Sequence, residues 1–304
     1  MIKLLATLLL IHASLARASF DASSKGTTSA DFLELGVGAR AASMGEAYTA
    51  ATGGAEALYW NPAALSRVKG RTVTFMHAAY IASTYYDYGA YAQRAGEGTF
   101  AIGLKYFSAG EMTETDALGA EVGRFSPKDS EVSFGYARPV RDFSLGFALK
   151  SIRSSVLDAA YTVAADIGVL SPAVYKDRLR IGAALFNVGG RLRYEDKREK
   201  LPAGLRLGAA YEIKDIWNLN FDFGFPENSA PYLAIGTEYI VLLPGSWKAA
   251  GRCGFNSRTV GDIKGFTGIS FGVGASHAKY DFDYGFSPMG EIGSAHRISI
   301  STRF

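Results

Sequence analysis

The sequence predicts an all-β fold: a transmembrane antiparallel β-barrel of about fourteen strands, with a partly helical N-terminal hatch inside the lumen. Three observations predict it. Apolar, strongly aromatic residues alternate with small or polar ones from residue 71 to the C-terminus. The connections between the alternating segments are long and short by turns. The last segment is apolar on one side, polar on the other, and stops on Phe304.

In chain order, the first element is Met1-Ile2-Lys3, an apolar run from Leu4 to Ile11, and Ala16-Arg17-Ala18. One early cation, a short apolar core and small residues at positions −3 and −1 describe a cleavable signal peptide, residues 1–18. The run is too short to span a bilayer as a helix, which takes ~20 residues. No later stretch reaches that length, and the mean hydropathy is only +0.05. Residues 19–30 read as a short extension, 31–69 as the hatch and 70–304 as the barrel.

The hatch segment is rich in small residues and does not alternate. It holds Gly38-Ala39-Arg40-Ala41-Ala42-Ser43-Met44-Gly45, then Trp60-Asn61-Pro62-Ala63-Ala64-Leu65. Pro62 fits the first turn of a short helix and Asn61 its N-cap. About 40 ordered residues ahead of the first strand are most economically housed in the barrel mouth, as a plug.

The clearest strands are Phe100/Ile102/Leu104/Tyr106 against Ala101/Gly103/Lys105, and Phe143/Leu145/Phe147/Leu149 against Ser144/Gly146/Lys150. Trp217/Leu219/Phe221/Phe223/Phe225 and Tyr280/Phe282/Tyr284/Phe286 repeat the pattern. Each has the length of a tilted membrane strand, about 9–11 residues. With the weaker segments the strands fall near 71–77, 85–94, 99–108, 130–138, 142–151, 161–170 and 179–188. The remainder fall near 203–212, 216–225, 232–241, 247–256, 265–275, 279–286 and 295–304. Connections 109–129, 152–160, 189–202, 257–264 and 287–294 are long, and those at the other end are short. Long outside and short inside is the asymmetry of outer-membrane barrels. A soluble β-sandwich also alternates, but here the apolar face is unusually aromatic, the other carries small residues and charges such as Lys150, Asp222 and Asp283, and fourteen strands would be many for one sandwich.

Composition agrees. The chain has 35 Gly, 17 Tyr and 19 Phe, which suits closely spaced strands with aromatic girdles. A net charge of +3 gives no ground for nucleic acid as a partner. The single cysteine, Cys253, cannot form an internal disulfide, and its alternation with Trp247 and Phe255 sends it to the lipid side. In the last strand Ile298, Ile300 and Phe304 share one face. A closing strand with a terminal aromatic residue resembles the assembly signal of bacterial outer-membrane barrels, which implies lipid and the barrel assembly machinery as partners.

Gly38-Ala39-Arg40-Ala41-Ala42-Ser43-Met44-Gly45-Glu46-Ala47-Tyr48 together with Tyr59-Trp60-Asn61-Pro62-Ala63-Ala64-Leu65 resembles the N-terminal signature of PorV/PorQ-type proteins, within the wider FadL-like group. Tyr106-Phe107-Ser108, Asn187-Val188-Gly189 and Leu201-Pro202 also match. The resemblance implies a fourteen-stranded barrel with a hatch in the bacterial outer membrane. It implies a non-enzymatic transport or export role, with PorV-like handling of secreted proteins in type IX secretion. FadL-like uptake of long-chain fatty acids or other hydrophobic solutes is the alternative, and a purely structural surface barrel is the second.

The candidate gating residues are Arg40, Ser43, Met44, Gly45, Asn61 and Pro62. Asn61 and Pro62 have two readings, a helix start that fixes the hatch or a hinge that moves with substrate. Arg40, in a lumen, needs a carboxylate partner, and Asp166, Asp222, Asp281 and Asp283 are the lumen-facing candidates. Gly36-Val37-Gly38-Ala39-Arg40-Ala41 matches a dinucleotide fingerprint in letters only, because no parallel βαβ unit surrounds it. His12, His77, His277 and His296 are scattered and fit no metal motif. The expectation is therefore no catalytic residue, no metal and no cofactor. Loop 109–129 is the first place to look for a docked partner. Phe221→Arg is expected to be costly and Asn220→Arg much milder, since only the first meets lipid.

Overall fold

The computed structural model describes residues 28–156, 158–194, 197–261 and 263–304. Residues 1–18, which the sequence leads one to expect as a signal peptide, and most of the extension 19–30 lie outside them. Eighteen strands form among the described residues. The first six are β1 (Arg71–Ala79), β2 (Tyr85–Ala95), β3 (Gly98–Ser108), β4 (Met112–Thr115), β5 (Glu121–Phe125) and β6 (Lys128–Val140). Next come β7 (Phe143–Ser155), β8 (Ala159–Leu170), β9 (Leu179–Gly189), β10 (Arg191–Tyr194), β11 (Lys197–Lys200) and β12 (Gly204–Ile213). The last are β13 (Trp217–Pro226), β14 (Tyr232–Leu242), β15 (Trp247–Asn256), β16 (Ile269–His277), β17 (Tyr280–Pro288) and β18 (Ser294–Arg303).

Fourteen of these close one antiparallel barrel, in the order β1-β18-β17-β16-β15-β14-β13-β12-β9-β8-β7-β6-β3-β2. The remaining four make two hairpins, β4–β5 and β10–β11, within segments 109–129 and 189–202 that the sequence presents as plain loops. Those hairpins stand at the long-loop end, which in an outer-membrane barrel is the extracellular one. β16 begins four residues later than its alternation predicts, because Gly265 and Gly268 take left-handed φ of 95° and 81° and hold the preceding chain in a turn.

Closure falls between β1 and β18, where Phe75 pairs with Ile300 and His77 with Ile298. Phe304 finishes the seam: its N–H donates to the Arg71 carbonyl at 2.8 Å, and its carbonyl accepts from the Arg71 N–H at 3.1 Å. Ile298, Ile300 and Phe304 all stay exposed on the outside. Phe100, Phe134, Phe147, Phe221, Phe223 and Phe282 are likewise turned outward. Such an apolar wall is stable only against hydrocarbon. Cys253 is exposed there too, as its alternation predicts.

The core lies where the lumen would be. The hatch consists of a 3-10 turn at Asp31–Glu34, helix α1 (Ala39–Ser43), a 3-10 turn at Gly54–Glu56, helix α2 (Ala57–Trp60) and a 3-10 helix at Pro62–Arg67. Val37, Met44, Leu58, Trp60 and Leu65 are essentially unexposed and form the main core cluster with inward-facing Met76, Tyr86, Tyr88 and Ala148 of the wall. The hatch enters at the extracellular end, where the Ser29 N–H donates to the Lys200 carbonyl of β11 at 3.0 Å. It leaves at the periplasmic end, where the Gly70 carbonyl accepts from the Arg94 N–H at 2.9 Å. The plug therefore runs the length of the barrel.

Candidate functional site

The candidate site is the seam between hatch and wall. Short helices leave many unpaired backbone groups, and a buried one left without a partner costs stability. Here the wall supplies the partners. Ser299 Oγ accepts from the Ala39 N–H at 3.0 Å, and Ser270 Oγ from the Gly45 N–H at 2.9 Å. One carboxylate oxygen of Asp222 accepts from both Tyr48 and Thr49 N–H, at 3.0 and 2.9 Å. Asn256 Nδ2 donates to the Gly45 carbonyl at 2.9 Å, and Asn220 Nδ2 to Met44 Sδ at 3.4 Å. Ser43 Oγ caps locally onto the Arg40 carbonyl at 2.8 Å.

The wall also makes room. A Cβ on Gly254 of β15 would land on the Met44–Gly45 backbone, and one on Gly146 of β7 on Pro62–Ala63. These inward glycines are what lets two backbones approach. Gly45 itself has φ +65° and packs against the Phe255 backbone, so it meets both requirements at once.

Asn61 is fully buried and uses all of its side chain. Its Oδ1 accepts from the Ala63 N–H at 3.1 Å, making the predicted N-cap, with Pro62 in the first turn of a 3-10 helix. Its Nδ2 donates to Thr49 O of the hatch and Val169 O of β8, both at 3.1 Å. One residue thus joins the helix start, the hatch body and the wall.

Arg40 does find a carboxylate, but none of the four aspartates the sequence nominates. Glu238 of β14 takes it in a two-pronged pair, Nε–Oε2 2.9 Å and Nη2–Oε1 2.6 Å. Arg252 donates to the same Glu238 Oε2 at 2.6 Å and to Asp283 Oδ1 at 2.7 Å, and Asn218 Nδ2 donates to Glu238 Oε1 at 2.8 Å. The aspartates are engaged elsewhere: Asp166 with Lys150 at 2.7 Å, Asp222 with hatch amides, Asp283 with Arg252 and Asp281 with Arg303 at 2.9 Å. Glu238 was legible in principle, since it shares the lumen side of β14 with Gly236. Glu56, in the hatch beside Thr74 of β1, is pushed up to about 7 by burial and by the nearby Asp283 carboxylate, partly offset by Arg40 and by the hydroxyl of Thr74.

Nearer the extracellular end, three wall cations surround the Tyr59 ring. Lys105 Nζ stands 4.6 Å from its centroid, the Arg206 guanidinium 5.2 Å and Lys150 Nζ 6.0 Å. Arg206 also stacks on Phe186 at 4.2 Å and Trp60 at 5.0 Å. Cation–π contacts of this sort are worth about 2 kcal/mol when desolvated. Sequence reasoning missed Lys105 and Arg206 as hatch contacts because each looks like an ordinary lumen-facing charge. A cavity of about 120 Å³ remains between hatch and wall, edged by Leu35, Glu46, Tyr80, Arg258 and Arg297.

The histidines lie away from this seam. His77 bonds Asp87 at 2.7 Å, His296 bonds Tyr284 at 2.8 Å, and His277 stacks on Trp247 at 4.4 Å. Among the described residues no three His, Cys, Asp or Glu side chains are placed to hold a metal ion. Gly38, in the fingerprint-like run, has φ +86° and packs against the Glu56 carboxyl, which accounts for that glycine structurally.

A family described as Type IX secretion system protein PorV matches residues 19–220. No curated protein matches the chain. Among solved structures, the Pseudomonas putida toluene transporter TodX is 12% identical, with 88% of this chain and 96% of that one covered at a TM-score of 0.61. The CymD monoaromatic hydrocarbon channel is 16% identical, with coverage of 89% and 98% and a TM-score of 0.62. A Pseudomonas aeruginosa FadL homologue is 12% identical, with coverage of 88% and 98% and a TM-score of 0.58. These likenesses establish the hatch-bearing barrel fold, and the family match over two thirds of the sequence, signature residues included, establishes that this outer-membrane β-barrel belongs to the PorV family.

Proposed function

We propose that this chain serves protein export at the outer membrane, as a PorV-type component of type IX secretion that handles secreted proteins at its extracellular face. The observation that carries this reading is the filled lumen. The hatch is bonded to the wall on many sides, and the free volume beside it, about 120 Å³, is below the ~300–1,000 Å³ of an ordinary ligand pocket. The ladders from β18 through β1 and β2 to β3 are continuous. Among the described residues the only register shift between barrel strands lies at β8–β9, around Asp166. Function then falls to the outer rim, where hairpin β4–β5 carries exposed Met112, Leu118 and Val122 among acidic residues. The reading assigns the protein no reaction of its own.

Uptake of a hydrophobic solute is a second reading. It draws on the same cavity, whose volume approaches the ~150 Å³ that admits benzene in an engineered protein core. Photo-crosslinking from a probe at Leu118 in intact cells tests the first, alongside deletion of the gene. Capture of secreted proteins, and their loss from the surface on deletion, is the expected result. Normal secretion with impaired growth on a hydrophobic carbon source would overturn export in favour of uptake.

A further inference from the structure

The outer wall carries one feature that the closed lumen does not explain. On four neighbouring strands the outward side chains fall into two rows, one above the other. The lower row runs Ile300–Phe75–Gly89–Leu104 and the upper Ile298–His77–Asp87–Tyr106, each residue in register with the next. The Phe75 ring leans over Gly89, 3.3 Å from where a Cβ would stand, and beside it lies a notch of about 460 Å³ lined by Phe75, Gly89, Leu104, Ile298 and Ile300, with His77, Asp87 and Tyr106 at its extracellular end. The His77 and Asp87 side chains are 59% and 47% exposed and bonded to each other at 2.7 Å. Ionisable groups on a lipid face are costly at depth and tolerated toward the interface. His77 is two residues from the end of β1, so the pair sits at headgroup level with the notch directly beneath it.

We propose that this notch binds one outer-leaflet lipid, an acyl chain lying along the Phe75 ring beside Leu104 and Ile300 and its headgroup held by His77, Asp87 and Tyr106. The surrounding wall is already an interface with lipid, and the notch is continuous with it, so a lipid is the occupant at hand. The polar end offers both signs of hydrogen bond. Asp87 keeps one carboxylate oxygen as an acceptor, the Tyr106 hydroxyl can donate or accept, and His77 bonds Asp87 through Nδ1, which leaves Nε2 for the headgroup. That set matches a head carrying phosphate together with hydroxyl or amine groups, which a phospholipid and a lipid A-type glycolipid both have. The inference is independent of the export reading and holds for an uptake barrel equally.

Native mass spectrometry of the full barrel in mild detergent tests it, with phosphatidylethanolamine or lipid A added as probe. One lipid of either kind is expected to stay on the wild type at collision energies that strip it from Gly89→Leu, whose side chain displaces the Phe75 ring into the notch. The His77→Leu/Asp87→Leu variant should keep a chain but lose any preference between the two probes, and that preference identifies the source. Gly251→Leu, another outward glycine, with nothing within 4 Å of an added Cβ, should retain lipid as the wild type does. Heat-dependent gel mobility confirms that each barrel is folded. Equal retention by wild type and Gly89→Leu would overturn the proposal, and so would a protein, rather than a lipid, leaving with the wild type and lost from Gly89→Leu.

Discussion

At the scale of single residues, Glu238 matters more than Arg40, the residue that draws the eye in the sequence. Glu238 is buried and holds both Arg40 and Arg252. Its removal to alanine leaves two guanidiniums facing each other, a situation that costs about 3–5 kcal/mol when buried. The Arg40 side chain is 39% exposed, so screening weakens its share, and Glu238 keeps Arg252 and Asn218 without it. Arg40→Ala should therefore cost only about 1–2 kcal/mol. Heat-dependent gel mobility of the two variants is the check, and the reverse order would mean that the latch is not centred on Glu238. Glu56 adds a pH dependence of defined sign. Its folded value, about 7, lies above that of a free glutamate, so the folded hatch favours the protonated form. Below pH ~4.5 the carboxyl is neutral whether or not the hatch is docked, and no penalty applies. As pH rises from there to about 7, docking grows less favourable by up to about 3 kcal/mol, and above that the loss is constant. Glu56→Gln should flatten this slope and stabilise the hatch at pH 8, measured as resistance of the hatch to protease in the folded barrel.

At the scale of elements, the strand glycines divide by side. Gly254 and Gly251 lie on the same strand, β15. A side chain on Gly254 strikes the Met44–Gly45 backbone, whereas one on Gly251 meets nothing within 4 Å. Gly254→Leu should lose at least the ~1–3 kcal/mol of an overpacked core and expose the hatch to protease, while Gly251→Leu should change neither. Similar protease sensitivity in both would show that the hatch is not seated against β15. The same filled lumen corrects an expectation from the sequence. From the sequence alone Asn220, facing inward, is expected to tolerate arginine, but its amide bonds Met44 Sδ and the residue is only 3% exposed. Asn220→Arg thus threatens hatch docking as Phe221→Arg threatens lipid contact, and equal costs would not argue against the register. These particulars show what was legible. The barrel strands were, because a wall between hydrocarbon and a packed interior imposes period-two alternation on every one of them. Hairpin β4–β5 was not, because its side chains stand in solvent and nothing forces them to alternate; nor was β10–β11, because four-residue strands are too short to show a period even though Leu192 is buried in one core cluster with Phe32 and Ile152. The hatch was visible as a break in the period, and the Asn61 cap from its Asn-Pro pair. Its wall partners were not, because a Glu238, Lys105 or Arg206 that bonds a plug has the same letters as one that faces water.

At the scale of the whole molecule, the question is whether the plug has to move. Ser66, in the last hatch helix, and Ser144, on β7, place their hydroxyl oxygens 2.7 Å apart at the periplasmic end. Cysteines at both positions would carry their sulfurs where these hydroxyls meet, near the ~2.05 Å of an S–S bond, in a compartment that keeps disulfides formed. Cys253 points into the lipid and is not placed to compete. A Ser66→Cys/Ser144→Cys barrel therefore has its hatch tied to the wall, and reduction releases it, so one preparation serves as its own control. A protein that docks cargo on its outer rim does not use the lumen as a path. Secretion by cells carrying the tied barrel should equal that of the wild type, with and without reductant, measured as secreted protein at the cell surface. A solute importer must open, so its uptake would fall when tied and recover on reduction. If secretion itself stopped in the tied form and returned on release, export would depend on hatch movement, and the extracellular rim alone would no longer account for the function.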